Sequence, residues 1–154
     1  MTSPQILTTI HDQLYDTDFV QWVDKAAELL KEGRFDELDI ANLVEEVESL
    51  GRHDKNALKS NLRVLLMHLL KWQYQPDRRS NSWRGTIIEH RLRIQDTFED
   101  SPSLRNFYTK IFEQTYQQAR KKAAGETGQD ISTFPTTCSY TTEQLIDDEF
   151  WPEA

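Results

Sequence analysis

The stretch from Asp39 to Tyr74, DIANLVEEVESLGRHDKNALKSNLRVLLMHLLKWQY, places Ile40, Leu43, Val44, Val47 and Leu50 at helical spacings of three and four. Gly51, a residue type that commonly stops helices, follows directly. The phase argues against a stop. Advancing 100° per residue from Ile40, the positions Leu58, Leu62, Leu65, Leu69 and Trp72 return to within about 40° of the same line. A broken helix has no reason to keep that phase, so the spacing predicts one helix over residues 39–74. Gly51 then sits near the middle of a buried stripe. A missing side chain there admits a neighbouring helix, and a helix crossing is expected at a propensity cost of about 1 kcal/mol relative to Ala. From Leu62 to Trp72 the apolar residues Leu62, Val64, Leu65, Leu66, Met67, Leu69, Leu70 and Trp72 point all around the axis, the pattern of a helix enclosed by protein.

Helical signals continue on both sides. Asp16-Thr17-Asp18 caps a segment with Phe19, Trp22, Val23, Ala26, Leu29 and Leu30 on one face, and Gly33 ends it, giving a helix over 17–32. Gln75-Pro76-Asp77 breaks the long helix, and Ser80 or Ser82 starts the next, with Trp83, Ile87, Ile94 and Phe98 on one face to about residue 99. Ser101 followed by Pro102 opens a fourth helix, carried by Leu104, Phe107, Tyr108, Ile111, Phe112, Thr115 and Ala119 to Gly125. Beyond it lie Gly128, Pro135, a Thr/Ser-rich run and one short turn from Thr141, with Gln144 placed for a capping box. The expected fold is all-α: a helical bundle around one long, largely buried central helix, with an irregular C-terminal tail. We read residues 1–154 as a single domain, with an N-terminal arm over 1–14, the bundle over 15–124 and an extended tail over 125–154 packed on it.

Composition agrees. The 154 residues are enough to bury roughly 70% of the unfolded surface in one domain. Apolar residues make up 37%, and four Trp, seven Phe and five Tyr can anchor a core, so the chain is not of the disordered class. The single cysteine, Cys138, precludes an intrachain disulfide and fits a reducing cytoplasm. The N-terminus shows no export signal and no window has the roughly 20 apolar residues of a membrane span, so no membrane association is expected. Charge is unevenly spread. Residues 1–51 carry a net −9, residues 52–93 a net +7 and residues 94–154 a net −6. Such a pattern suits a phosphate-binding face or helices of opposite sign laid together, and we read the second.

Several runs resemble a known family. They are Tyr15-Asp16-Thr17-Asp18-Phe19 with Trp22, Glu45-Glu46-Val47-Glu48-Ser49-Leu50-Gly51-Arg52, His68-Leu69-Leu70-Lys71-Trp72-Gln73-Tyr74-Gln75-Pro76, Ser82-Trp83 and Asp100-Ser101-Pro102-Ser103-Leu104. Over residues 15–150 the chain resembles the "domain of unknown function 29" family, with the run from His68 to Pro76 the most specific part and no marked departure. The resemblance implies an all-helical bacterial protein, common in cyanobacteria. It implies no reaction.

The candidate chemistry therefore comes from the residues. Asp54, Asn61 and His68 are seven apart on one flank of the long helix, a candidate polar core. Seven residues rise about 10.5 Å, too far for two of them to share a metal. His90 comes within about 4.5 Å of the level of His68 when counted outward from the turn, so the two could form a metal or acid–base site, or fix helix register as satisfied polar groups. We read the latter. Glu45 and Glu48 have the spacing of a Mg²⁺-holding pair, but a salt bridge from Glu48 to Arg52 is the plainer expectation. The basic stretch 71–93 interleaves Arg78, Arg79, Arg84 and Arg91 with Trp72 and Trp83, which suits phosphate contact and stacking. The alternative is that the tryptophans clamp the turn while the arginines pair with acidic helices. We expect a noncatalytic interaction module without cofactor or metal, working with a protein partner or as a homo-oligomer. Nucleic-acid binding through 71–93 and an enzyme site at His68 and His90 are the rivals.

Overall fold

The structure, a computed structural model, describes residues 10–154, and among them the regular elements are all helical. In chain order they are α1 (Ile10–Leu14), α2 (Phe19–Glu32), α3 (Ile40–Tyr74), α4 (Asn81–Asp100), α5 (Leu104–Thr127) and α6 (Thr142–Leu145), with single 3-10 turns at Phe35–Glu37, Pro76–Arg78 and Ile131–Thr133. The expected arm over 1–14 ends in α1, and its residues 1–9 lie outside the described residues. Two compact units divide the chain between His53 and Asp54.

Local chemistry explains most boundaries. Asp18 caps α2 by accepting from the Gln21 N–H, and Gly33 at φ +70° ends it in the left-handed conformation. Ser80 caps α4 by accepting from the Trp83 N–H. Thr141 and Gln144 form the reciprocal capping box of α6. Two boundaries differ from expectation. Ser101 closes α4 through an N–H bond to the Thr97 carbonyl, so Pro102 belongs to a turn and α5 starts at Leu104. Gly125 lies inside α5; it is Gly128, at φ +70°, that ends the helix.

In the first unit a small cluster of Ala26, Leu29 and Leu38, with Leu43 against it, forms the apolar core. A buried polar knot reinforces it. The Asp39 N–H donates to His11 Nδ1 (2.9 Å), so Nε2 carries the ring hydrogen and donates to the Trp22 carbonyl (2.9 Å). The His11 ring stacks on Trp22 at 4.9 Å between centroids. Trp22 Nε1 in turn donates to Asp39 Oδ2, while the N–H and side-chain amide of Asn42 donate to the same carboxylate, which thereby caps α3. Burial pushes the Asp39 carboxyl up, but these donors outweigh it and hold the group below the usual carboxylate range.

The second unit holds the main core. The α3 side chains Leu58, Leu62, Leu65, Leu66, Leu69 and Leu70 have no exposed surface, and they share one cluster with Ile87, Ile94 and Phe98 of α4, Tyr108, Phe112, Tyr116, Ala119 and Ala123 of α5, and Phe134, Tyr140 and Leu145 beyond α5. Burying such side chains contributes about 1.5–3 kcal/mol each.

The long helix is continuous through Gly51, as the phase requires, but it is not largely buried. Ile40, Val44, Val47 and Leu50 are 49–70% exposed, and the buried positions begin only at Leu58. Nor does a helix cross at Gly51. A Cβ placed there meets nothing within 4 Å, so the stripe keeps its helical phase while its first half lacks a cover. Gly51→Ala is therefore expected to stabilise by about 0.5–1 kcal/mol, through helix propensity and a less flexible unfolded chain, without steric cost. Thermal unfolding checks it; a lowered Tm would show that the backbone at Gly51 needs its freedom.

Candidate functional site

In the first unit the uncovered stripe faces the apolar side of α2. Phe19, Val23 and Leu30 of α2 and Leu43, Val47 and Leu50 of α3 line a groove of about 460 Å³, with Trp22 and Ala26 among its walls. Its edges are open: Val47 is 60% and Leu50 70% exposed. Ten of the thirteen exposed large apolar side chains among the described residues fall between residues 10 and 50, so the apolar surface is concentrated here. Among the described residues the groove has one acidic wall residue, Glu46, whose Oε1 accepts from Tyr15 Oη at 2.6 Å. That bond is the main reason the Tyr15 hydroxyl is pushed up to about 12. Glu45 and Glu48 stand on the same helix and share Arg52, at 2.7 and 3.8 Å, the expected salt bridge with a second, shorter arm.

Each histidine of the proposed pair is half-buried and bonds within its own helix, with His68 Nδ1 at 2.8 Å from the Val64 carbonyl and His90 Nδ1 at 2.8 Å from the Thr86 carbonyl. Those carbonyls accept, so both rings carry a hydrogen on Nδ1. Burial holds His68 below the usual imidazole range, and the charges of Lys71, Glu126 and His90 also reach it. Asp54 is exposed and Asn61 half-buried, and no hydrogen bond among the described residues joins either to the histidines. Among the described residues no group of three His, Cys, Asp or Glu side chains is placed to hold a metal. Burial pushes the Cys138 thiol up to about 11, which disfavours the reactive thiolate.

The arginines depart from the expected pairing with acidic helices. Among the described residues only Arg93 of this group meets a carboxylate, that of Glu89 one turn earlier on α4. Arg79 donates from Nε to the Trp72 carbonyl and lies over the Trp72 ring, and Arg84 lies over both Trp72 and Trp151. Arg78 is exposed. Trp72 thus supplies both the ring that Arg79 and Arg84 share and the main-chain oxygen that Arg79 meets. Trp72 is buried against Trp151 at 4.9 Å, and Trp83 carries Lys71 over its ring.

Arg91 is a structural residue. It is 1% exposed and donates from Nε to the Leu145 carbonyl (2.8 Å) and from a terminal nitrogen to the Phe150 carbonyl (2.6 Å). Trp151 packs over the guanidinium. Burial lowers its proton affinity, offset in part by Asp147 and Asp148. Tyr108 adds a bond to the Thr142 carbonyl and Tyr116 one to that of Pro135, so buried donors of α4 and α5 hold the irregular C-terminal segment.

Sequence reasoning missed the knot at His11, because an isolated histidine upstream of the first long helix carries no periodic signal. The groove was missed because an apolar stripe reads the same whether or not something covers it. A family described as the domain of unknown function DUF29 matches residues 14–151. No curated protein matches, and no solved structure does.

Replacing Arg91 by Met is expected to cost about 2–4 kcal/mol, because buried carbonyls lose their donor, with Lys recovering only part. Denaturant unfolding measures the loss, and faster proteolysis within 140–154 would locate it. Acidity should act through His68. Since the unfolded chain takes up that proton first, stability is complete above the free imidazole value of about 6.5 and declines as pH falls toward the lower folded value. Wild-type Tm should therefore drop more steeply than that of His68→Gln between about pH 7.5 and pH 5.5; parallel curves would refute the assignment.

Proposed function

The chain belongs to the DUF29 family, and on that footing we propose that it is a noncatalytic helical interaction module whose α2–α3 groove receives a basic amphipathic helix of a partner protein. The observation that carries this is an open apolar groove on a strongly acidic segment. Val47 and Leu50 are more than half exposed on one wall, and Phe19, Val23 and Leu30 are 42–47% exposed on the other. Apolar side chains spaced along two helices match a third helix that offers its own residues at three and four.

Charge selects the occupant. Residues 1–51 carry three Lys/Arg against twelve Asp/Glu, so a second copy docked through the same face would bring like charge to like charge. A helix with apolar residues on one face and Lys or Arg beside them gains both burial and attraction. Glu46, the one ionisable wall residue among the described residues, is held by Tyr15 and keeps a negative charge at the groove for a basic helix to meet.

The test uses the full chain and a synthetic Leu/Lys amphipathic peptide of about four helical turns, with a Leu/Glu peptide of the same pattern as control. Saturable one-to-one binding of the Leu/Lys peptide is expected. It should weaken with salt and fall at least about tenfold in Val47→Glu with Leu50→Glu, because both positions are exposed and buried charge opposes docking. Circular dichroism should confirm that the double variant keeps its helices. Equal binding of the Leu/Glu peptide, no binding, or a concentration-dependent dimer that disappears in the double variant would each overturn the reading, the last in favour of a second copy.

A further inference from the structure

The turn between α3 and α4 gathers donors that the fold leaves unused. The guanidinium carbons of Arg79 and Arg84 lie 4.8 and 5.2 Å from the centroid of the one Trp72 ring. Neither has a carboxylate within ion-pair distance among the described residues. Arg79 spends only Nε, on the Trp72 carbonyl, and the Arg84 guanidinium makes no hydrogen bond among those residues. The Ser80 hydroxyl accepts from the Trp83 N–H, which leaves its own hydrogen to donate. The Asn81 and Ser82 N–H groups open the 20-residue helix α4, where backbone donors have no intrahelical partner and the dipole favours negative charge. Trp72, Arg79, Ser80, Asn81 and Arg84 line a concavity of about 320 Å³, and no acidic side chain is among them.

We propose that this concavity is a phosphate-binding site, filled by a phosphate group that is free or carried on a nucleotide. Two guanidiniums, a hydroxyl and the Asn81 N–H supply more donors than the two oxygens of a carboxylate can use, whereas the oxygens of a phosphate can accept from all of them. The stacked arginines are held in place by Trp72, so little side-chain freedom is lost when the anion arrives. Trp72 itself is buried, its ring shared between the arginines and Trp151, so it offers no face to a nucleobase. Recognition is therefore of the phosphate and not of a base.

An NMR titration of the full chain, following backbone amides and the Trp72 indole N–H at constant ionic strength, tests the site. The probes are inorganic phosphate, adenosine 5′-monophosphate and adenosine. Inorganic phosphate is expected to shift the Asn81 and Ser82 amides and the Trp72 indole in a saturable way. Arg84→Gln should weaken binding about tenfold or more, and Arg79→Gln with Arg84→Gln should abolish it. Arg93→Gln, which alters an arginine already paired with Glu89, should leave it unchanged. Tighter binding of the monophosphate than of inorganic phosphate assigns a nucleotide-borne group, and equal binding assigns free phosphate; either supports the site. Absence of a saturable shift, binding that survives the Arg84→Gln and double variants, or binding of adenosine as tight as that of its monophosphate would overturn it.

Discussion

A broad leucine face on a helix must be enclosed, and that constraint organises the second unit. From Leu58 to Leu70, α3 presents six leucines at 0% exposure across one broad face, while Ser60 is exposed and Asn61, Arg63, Val64, His68 and Lys71 are half-buried. Two helices do not cover so wide a face alone. Part of it is taken by the C-terminal segment, which contributes Phe134, Tyr140 and Leu145 to the same cluster. An irregular segment at such depth has backbone carbonyls to satisfy, and a buried donor set is the consequence. Arg91, Tyr108 and Tyr116 meet that need from α4 and α5, each bonding a main-chain oxygen of the segment. A charge is thereby buried without a carboxylate in direct contact, neutralised in part by the nearby Asp147 and Asp148.

The first unit solves a different problem with fewer residues. Its apolar cluster is small, and polar contacts define its geometry: one imidazole bonded at both nitrogens, one indole stacked on it, and one carboxylate that caps α3 while accepting from that indole. Polar knots of this kind fix geometry more than they add net stability. They also leave the outward apolar stripe of α2 and α3 exposed on a strongly acidic segment.

Formal charge was a poor guide to partners in the basic stretch. Residues 52–93 carry a net +7 between acidic flanks, yet Arg79 and Arg84 of the turn lie over indole rings, with one bond from Arg79 to the Trp72 main-chain oxygen, in place of carboxylates. Guanidinium is weakly hydrated and planar, so stacking on Trp72 competes well with an exposed ion pair of about 0–1 kcal/mol. Stacking holds the cations without neutralising them, and positive charge remains at the start of α4.

Periodicity and capping signals in the sequence by themselves determined the helices, the continuity of α3 through Gly51, the capping box of Thr141 with Gln144 and the neighbourhood of the other caps, narrowed to Asp16–Asp18 for α2 and to Ser80 or Ser82 for α4, because each depends on residues within a few positions of one another. All-round burial over Leu62–Trp72, which the apolar pattern also suggested, is not what the fold gives, since Val64, His68 and Lys71 are only half-buried. The family followed from short runs of the same local kind. Covering was decided only by tertiary structure. Val44, Val47 and Leu50 continue the stripe that Leu58 and Leu62 begin, and nothing in their spacing says that one half is enclosed and the other exposed. Gly51 carries no crossing for the same reason. The partners of Arg91, the ring beneath Arg79 and Arg84 and the bonds of His11 all join positions set by how the chain returns on itself, and a helical period holds no information about that return.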